Sequence, residues 1–157
     1  ENAEKGKDYS RRLVEKDVSR GKSTQEKGDK VLDLITTTDN YDDVKGADLV
    51  IEAVFEDLDL KRQIRGDVEE AIGRNGDVRG IFATNTSSLP IADIAEGSPN
   101  PERVVGMHFF SPANVMKLLE NVRGSKTSDE VKATVMAVAK KIKKGSFDLN
   151  DLSSQLN

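Results

Sequence analysis

The only histidine in the chain, His108, is the residue whose type and position most suggest chemistry. It lies in an apolar run that begins at Val104, and Pro112 follows closely, so a strand should give way to a loop near His108. Strand ends of this kind are where α/β folds usually place their chemistry. Glu120 follows twelve residues later and is its natural carboxylate partner. Such a carboxylate fixes the imidazole tautomer, so that the other ring nitrogen can accept a proton at neutral pH.

Two other roles for these residues have to be weighed against general-base chemistry. His108 could be a core histidine that hydrogen-bonds to a backbone carbonyl, and the segment 104–120 alone leaves that alternative open. Nucleophilic catalysis is less attractive, because Ser87 and Ser88 lack the Gly-x-Ser-x-Gly elbow that exposes a serine nucleophile.

Composition limits the other classes of function. The 157 residues are enough for one ordinary domain, and the net charge of -4 gives no basic field for nucleic acid. The chain has no cysteine, so disulfides and thiolate chemistry are excluded, and we predict no metal site. No apolar run approaches the roughly 18 residues of a membrane helix, and we therefore expect a soluble protein. Because the sequence lacks an initiator Met and opens on a helical pattern, we expect it to start within a domain.

The periodicity of apolar residues predicts an α/β fold after an N-terminal helical hairpin. Residues 1–36 have the pattern of two charged, exposed helices, and Ser23 and Glu26 stand at capping-box spacing for the second. Buried strands are predicted near 47–54, 80–84 and 104–109, with a possible fourth at 117–122. The helices between and after these strands are predicted from Leu60 to Gly73 or Gly76, over 89–95, and from the cap Ser128 through Val131, Val135, Val138 and Ile142. The alternation favours a partial Rossmann-like parallel sheet with flanking helices.

Polar side chains follow each of the three predicted strands. The pairs are Glu56 with Lys61, Asn85 with Ser87, and His108 with Ser111. Because the carboxyl ends of parallel strands share one edge of a sheet, these pairs should lie near a common crevice. The alternative is that Asn85 and Ser87 are ordinary turn and capping residues, and the residues alone leave both readings open.

Three segments together resemble the L-3-hydroxyacyl-CoA dehydrogenase family. They are ADLVIEAVFEDL at 47–58, ATNTSSL at 83–89, and GMHFFSP at 106–112 with Leu118-Leu119-Glu120 after it. Their order and spacing match the family over roughly residues 1–142, and the likeness is greatest to the dehydrogenase part of multifunctional fatty-acid β-oxidation α subunits. The resemblance implies NAD-dependent oxidation of an L-3-hydroxyacyl-CoA to the 3-oxoacyl-CoA.

The resemblance also implies roles for individual residues. His108 would be the general base, Glu120 its orienting carboxylate, and Ser87 a hydrogen-bonding partner of the substrate oxygen or the cofactor. The implied NAD-binding positions are Val54, Glu56, Lys61, Asn85, Ser87 and Ser111. Many family members have Asn where this chain has Ser111.

The resemblance implies that residues 1–142 are a fragment of a Rossmann NAD-binding domain. The first βαβ unit, with its glycine-rich loop, would precede Glu1, and the hairpin at 1–36 would match a helical excursion that lies over the CoA moiety. Residues 143–157 form an atypical tail: Asn150-Asp151 fits the family, but Leu152-Ser153-Ser154 replaces the expected Pro-Gly-Phe.

The resemblance further implies partners and a location. The partners would be an acyl-CoA substrate and the remainder of the dehydrogenase, including a C-terminal helical domain. A homo-oligomer or an α/β complex with a thiolase is expected, either in the mitochondrial matrix or in the bacterial cytoplasm. The alternative is a non-catalytic fragment of the same fold that serves as an interaction or structural module.

The sequence makes one prediction about cofactor affinity. The pyrophosphate of NAD normally rests on a glycine-rich turn and a helix N-terminus, whose N–H groups and dipole hold the charge. Residues 1–157 contain no Gly-x-Gly-x-x-Gly, so we expect them to bind NAD weakly on their own. Isothermal titration calorimetry should detect no micromolar binding. A micromolar dissociation constant would show that another part of this chain holds the pyrophosphate.

Overall fold

The computed structural model describes residues 2–73 and 80–150 and divides the chain into two compact units, Glu1–Asp43 and Val44–Asn157. The first unit is the predicted hairpin, formed by α1 (Asn2–Ser19) and α2 (Gln25–Asp33). The two helices pack closely at Gly28, where a Cβ atom would lie 2.4 Å from Val14 Cγ1. The cap of α2 differs from the prediction: Thr24 takes this role in place of Ser23, and its side chain accepts a hydrogen bond from the Lys27 N–H.

The second unit is a five-stranded α/β domain. Its elements are β1 (Leu49–Glu52), α3 (Leu58–Gly73), β2 (Ile81–Thr84), α4 (Ile91–Ala95), β3 (Val104–Phe109), β4 (Leu118–Arg123), α5 (Asp129–Lys141) and β5 (Gly145–Asn150). Short 3-10 turns occur at Tyr41–Val44 and Pro101–Arg103. The alternative helix end at Gly76 lies outside the described residues.

The strands are ordered β1-β2-β3-β4-β5 across the sheet. β1, β2 and β3 are parallel, which confirms the prediction for these segments and the partial Rossmann-like fold. β4 confirms the possible fourth strand and runs antiparallel to β3. The residues between β3 and β4 are too few for the crossover of a dozen or more residues that a parallel connection needs.

The fifth strand falls in the segment that the sequence analysis treated only as an atypical tail. β5 pairs in parallel with β4, from Leu118 with Gly145 to Arg123 with Asn150. Polar Ser146 and Asp148 alternate with Phe147 and Leu149, which is the period of a strand, but the surrounding lysines obscure the pattern. Residues 151–157, with the Leu152-Ser153-Ser154 departure, lie outside the described part.

Helices cover both faces of the sheet, because successive strand residues point to opposite sides. One cluster packs α5 onto the sheet and includes Val105, Met107, Leu119, Val131, Val135 and Ala139. The other packs α3 and α4 and includes Val68, Ile72, Phe82, Ile91, Ile94 and Val104. Ile142, predicted on the apolar face of the last helix, is instead exposed at its C-cap. None of the helices in the described segments is long and apolar enough to span a membrane.

Gly106 is the point of closest approach between the sheet and α4. A Cβ atom there would lie 2.9 Å from Ile91 Cδ1, 2.9 Å from Val122 Cβ and 3.2 Å from Val122 O. The backbone oxygen and the β-branched Val122 side chain leave little room for adjustment. The close packing of β3, β4 and α4 therefore requires a glycine.

We expect Gly106→Ala to lower the free energy of unfolding by about 1–3 kcal/mol, because the added methyl group overpacks this contact. Gly66 is the matched control: it lies exposed in α3, and no atom lies within 4 Å of its would-be Cβ. Gly66→Ala should be neutral or stabilising by up to about 1 kcal/mol, from helix propensity. Urea unfolding of the two variants measures both effects. Equal stability of Gly106→Ala and the wild type would contradict the packing described here.

Candidate active site

The carboxyl ends of three strands meet at one edge of the sheet. β1, β2 and β3 end there at Glu52, Thr84 and Phe109 because they are parallel, and β4 begins there because it runs the other way. The predicted polar residues lie at or just after these strand ends, except Lys61, which lies within α3. The topology therefore gathers the predicted site residues of β1, β2 and β3 at a common edge.

His108 and Glu120 form a hydrogen-bonded pair across β3 and β4. The two residues are directly opposite in the antiparallel register, and the Nδ1 to Oε2 distance is 2.8 Å. A carboxylate only accepts hydrogen bonds, so Nδ1 is the donor in this contact, and in the neutral imidazole Nε2 is then the acceptor. The side chains are 20% and 30% exposed. The pair therefore has the geometry of a general base with an orienting carboxylate, and the predicted approach of the two side chains is confirmed.

The surroundings of His108 differ from those of a core histidine. Its hydrogen-bond partner is a carboxylate rather than a backbone carbonyl, and its ring is partly open to solvent. Phe110 packs beside it, with ring centroids 4.7 Å apart and planes at 45°. The phenyl ring limits the directions from which the imidazole can be approached.

The carboxylate of Glu56 organises the loop after β2. Its Oε1 accepts hydrogen bonds from the Ser87 N–H at 2.9 Å, the Ser88 N–H at 3.1 Å, the Ser88 hydroxyl at 3.1 Å and the Thr86 hydroxyl at 2.5 Å. Partial burial raises the Glu56 pKa, but the hydrogen bonds from Thr86, Ser87 and Ser88 outweigh burial and lower the pKa to about 2. The Ser87 hydroxyl lies 3.5 Å from the same oxygen, so only its N–H is firmly held. The hydrogen bond from its N–H to Glu56 thus holds Ser87 close to the residues that follow β1.

Asn85 connects all three strand ends. Its Oδ1 accepts a hydrogen bond from the Phe109 N–H at 2.7 Å, and its own N–H donates to the Glu52 carbonyl at 2.7 Å. The side-chain carbonyl of Asn85 therefore fixes the end of β3, one residue from His108. A direct cofactor contact by Asn85 stays a prediction.

Lys61 is buried beneath the edge rather than presented at it. Its side chain is 1% exposed, and Nζ lies 2.8 Å from Glu52 Oε1, 3.4 Å from the Val54 carbonyl and 3.5 Å from Glu56 Oε2. The ammonium group is thus enclosed by these oxygens. Its contact with a cofactor stays a prediction, and in this structure it supports the two glutamates.

Sequence reasoning missed Glu52, which is the centre of this buried cluster. Its carboxylate accepts from Lys61 Nζ, from the Val54 N–H at 2.6 Å and from the Thr84 hydroxyl at 2.7 Å. The available signal was a single charged residue inside the apolar run 49–54, because a charge in a buried strand must be paired.

The two remaining predicted residues, Val54 and Ser111, lie on the surface, and Phe55 is exposed next to Val54. Val54 and Phe55 are 37% and 86% exposed at the end of β1, where they leave an apolar surface open. Ser111 is exposed in the loop after β3. Within residues 2–73 and 80–150, no three His, Asp or Glu side chains come together in a group that could hold a metal ion.

The family model for the NAD-binding domain of 3-hydroxyacyl-CoA dehydrogenase matches residues 1–152. The chain belongs to this family. The match extends past Ile142 and includes β5, so it covers ten residues of the segment that the sequence analysis set apart.

Relatives and solved structures agree with this assignment. The fatty acid oxidation complex subunit alpha of Shewanella amazonensis is 47% identical over 133 residues, which are 85% of this chain and 18% of the relative. The subunit of the same name from Shewanella halifaxensis is 48% identical over the same shares. The chain therefore spans 18% of the length of these curated relatives.

Among solved structures, 3-hydroxybutyryl-CoA dehydrogenase from Escherichia coli K12 matches with a TM-score of 0.88 and 33% identity, over 94% of this chain and 30% of that one. The (S)-3-hydroxybutyryl-CoA dehydrogenase PaaH1 from Ralstonia eutropha matches with a TM-score of 0.82 and 34% identity, over 88% and 48% of the two chains.

The family's cofactor is NAD. The edge fits the ring and hydroxyl parts of such a cofactor, because the exposed side chains of Val54 and Phe55 offer an apolar surface and the Glu56 side chain is 35% exposed beside them. The edge fits phosphate less well, since the N–H groups of Ser87 and Ser88 already donate to Glu56. The described residues thus suit the nicotinamide and ribose better than the pyrophosphate.

The Glu56 pKa predicts a pH dependence of stability. Because folding lowers this pKa from 4.5 to about 2, the charged carboxylate stabilises the folded state fully above pH 4.5, and that contribution is lost as the pH falls towards 2. Glu56→Gln should therefore be less stable than the wild type near neutral pH, and the difference should shrink between pH 4.5 and about 2. Urea unfolding at a series of pH values measures this difference. A difference that stays constant through this range would contradict the role given to the carboxylate.

Proposed function

We propose that this chain is part of an NAD-dependent 3-hydroxyacyl-CoA dehydrogenase of fatty-acid β-oxidation, which oxidises an L-3-hydroxyacyl-CoA to the 3-oxoacyl-CoA. The observation that carries the proposal is the His108–Glu120 pair, with 2.8 Å between Nδ1 and Oε2, at the carboxyl edge of a sheet in this family. The activity is proposed for the parent protein, because the chain spans 18% of the Shewanella amazonensis relative.

His108 is the general base of the proposed reaction. Its Nε2 accepts the proton of the substrate's 3-hydroxyl group as the C3–H bond breaks and the C3–O bond becomes a carbonyl. NAD+, when bound, supplies the acceptor for the hydride that leaves C3. The proton remains on the imidazole, which then carries a positive charge.

Glu120 stabilises that charge and fixes the ring. Because its Oε2 accepts the hydrogen bond from Nδ1–H, the imidazole keeps the tautomer in which Nε2 is free to accept. The carboxylate is already in place before the charge develops, so little reorganisation is needed at the moment of reaction.

The other site residues hold the reactants. Ser87 would hydrogen-bond the substrate oxygen or the cofactor through its hydroxyl group, which is only loosely held by Glu56 at 3.5 Å. Val54, Glu56 and Ser111 would contact the cofactor from exposed positions. Asn85 would act indirectly by fixing the Phe109 backbone, and Lys61 by fixing the side chains of Glu52 and Glu56.

The relatives suggest a setting for the enzyme. Those named above are alpha subunits of fatty acid oxidation complexes in bacteria, and we propose a similar complex in a bacterial cytoplasm, with a thiolase as the partner subunit. A homo-oligomer is the alternative assembly. A non-catalytic module of the same fold is less well supported, because such a module has no need of an aligned His108–Glu120 pair.

Replacement of the base in the parent enzyme tests the proposal. His108→Gln should lower kcat by about 10²–10⁴, because no group remains to accept the hydroxyl proton. The affinity for NAD should change little, since the proposed cofactor contacts lie elsewhere. Glu120→Gln should cause a smaller loss of kcat. The double variant should be far from additive, because the two side chains act as one unit.

Thermal unfolding of the same variants provides the control. A histidine that served only the core would lower the melting temperature on replacement and leave the turnover of the folded fraction nearly intact. That result would contradict the catalytic role of His108.

A further inference from the structure

The loop of residues 110–117 connects the two strands that carry the catalytic pair. His108 lies near the end of β3, Glu120 lies near the start of β4, and Ser111 is in the loop itself. Under the proposed function, this loop borders the reacting groups. Interactions that fix the loop conformation should therefore affect how the substrate and the cofactor bind beside His108.

One lysine from a distant part of the chain binds this loop. Lys144 Nζ donates hydrogen bonds to the backbone carbonyls of Ala113 and Met116. The loop is itself a single tight turn, in which the N–H groups of Val115 and Met116 donate to the Pro112 carbonyl at 2.9 and 3.0 Å. The Lys144 ammonium group thus donates to carbonyls other than the Pro112 carbonyl, which is the one that accepts the hydrogen bonds within the turn.

The turn at the C-terminal end of α5 places Lys144 beside the loop. The Lys143 N–H donates to the Lys140 carbonyl at 3.0 Å and the Lys144 N–H to the Ala139 carbonyl at 2.9 Å, so the helix closes in a terminal turn. Lys143 has a left-handed backbone with φ 60, which reverses the chain direction there. The next residue, Gly145, donates its N–H to the Lys117 carbonyl at 2.7 Å, which joins the start of β5 to the last residue of the loop.

We propose that Lys144 is a positioning residue, whose ammonium group keeps the loop 110–117 in one conformation beside the His108–Glu120 pair. This conformation keeps Ser111 in place. The loop also presents the apolar side chains of Val115 and Met116, which are 65% and 39% exposed and suit the acyl part of the substrate. This inference rests on the proposed function and adds a residue to it.

The neighbouring lysines provide a matched control. Lys140 is exposed on α5, four residues before Lys144, and its side chain makes no hydrogen bond or ion pair within the described residues. Removal of its charge changes the net charge as much as removal of the Lys144 charge does. A general electrostatic effect on a negatively charged CoA substrate would therefore appear in both variants.

The test uses the full-length parent enzyme with Lys144→Met, Lys144→Arg and Lys140→Met. Hydrogen–deuterium exchange of the peptide that covers residues 111–117 reports on the loop directly. Lys144→Met should accelerate exchange of the Val115 and Met116 amides by about tenfold or more, because hydrogen bonds from a charged donor are among the stronger ones. Lys144→Arg should restore much of the protection, and Lys140→Met should match the wild type.

Steady-state kinetics on the same proteins reports on positioning. Lys144→Met should raise KM for the 3-hydroxyacyl-CoA by about tenfold if the freed loop keeps the binding conformation about one-tenth of the time, because apparent affinity falls with that fraction. The KM for NAD and the melting temperature should change little. A merely structural lysine would lower the melting temperature without this selective rise in KM.

Each other outcome overturns the inference at a different step. Unchanged exchange in Lys144→Met would show that the ammonium group does not hold the loop. Faster exchange with unchanged kinetics would show that the loop does not position the substrate, and an equal rise in KM for Lys140→Met would assign the effect to net charge. An inactive wild-type parent would overturn the proposed function instead, while the exchange data would still report whether Lys144 holds the loop.

Discussion

The buried charge of Glu52 is the constraint on which the edge with the candidate site depends. A carboxylate inside a sheet is costly unless it is paired and fully hydrogen-bonded. Glu52 meets that requirement with three donors from different elements: the Lys61 ammonium of α3, the Thr84 hydroxyl of β2 and the Val54 N–H after β1. The strand ends and the first turn of α3 must therefore keep one arrangement, since loss of Lys61 would leave a buried charge unpaired and loss of either other donor would remove a hydrogen bond from it.

A second carboxylate, Glu56, connects the buried pair to residues at the surface. Lys61 Nζ lies 3.5 Å from Glu56 Oε2, and Glu56 Oε1 accepts a hydrogen bond from the N–H of Ser87 in the loop after β2. An exposed pair such as Lys30 and Glu26 on α2 contributes little, because water screens both charges. Glu52 and Lys61 differ from that pair because both side chains are only 1% exposed, so water does not screen their interaction. The buried ion pair of Glu52 and Lys61 thus helps to fix the positions of side chains at the surface.

The sequence predicted much of the fold because β1, β2 and β3 are short apolar runs and α3 and α5 carry apolar residues at helical spacing. It also indicated that Glu120 pairs with His108, because a carboxylate is the natural partner of the only histidine and the family resemblance assigns it the same role. The residues alone did not predict β5, where polar Ser146 and Asp148 hide the alternation, or the direction of β4, which depends on the length of the connection. Glu52 and Lys144 were missed for a different reason: their importance comes from partners that only the tertiary structure brings within reach.

The opposed positions of His108 and Glu120 in the β3–β4 ladder link the chemistry to the strand register. Side chains alternate between the two faces of a sheet, so a slip of one residue would send Glu120 to the opposite face from His108. The separation of the pair is consequently set by main-chain hydrogen bonds more than by side-chain rotamers. Insertion of one residue between His108 and the end of β3, or between the start of β4 and Glu120, would break this pairing, whereas insertions confined to the connecting loop would not. The tolerance of this enzyme family to changes in length should therefore differ sharply over a few neighbouring residues.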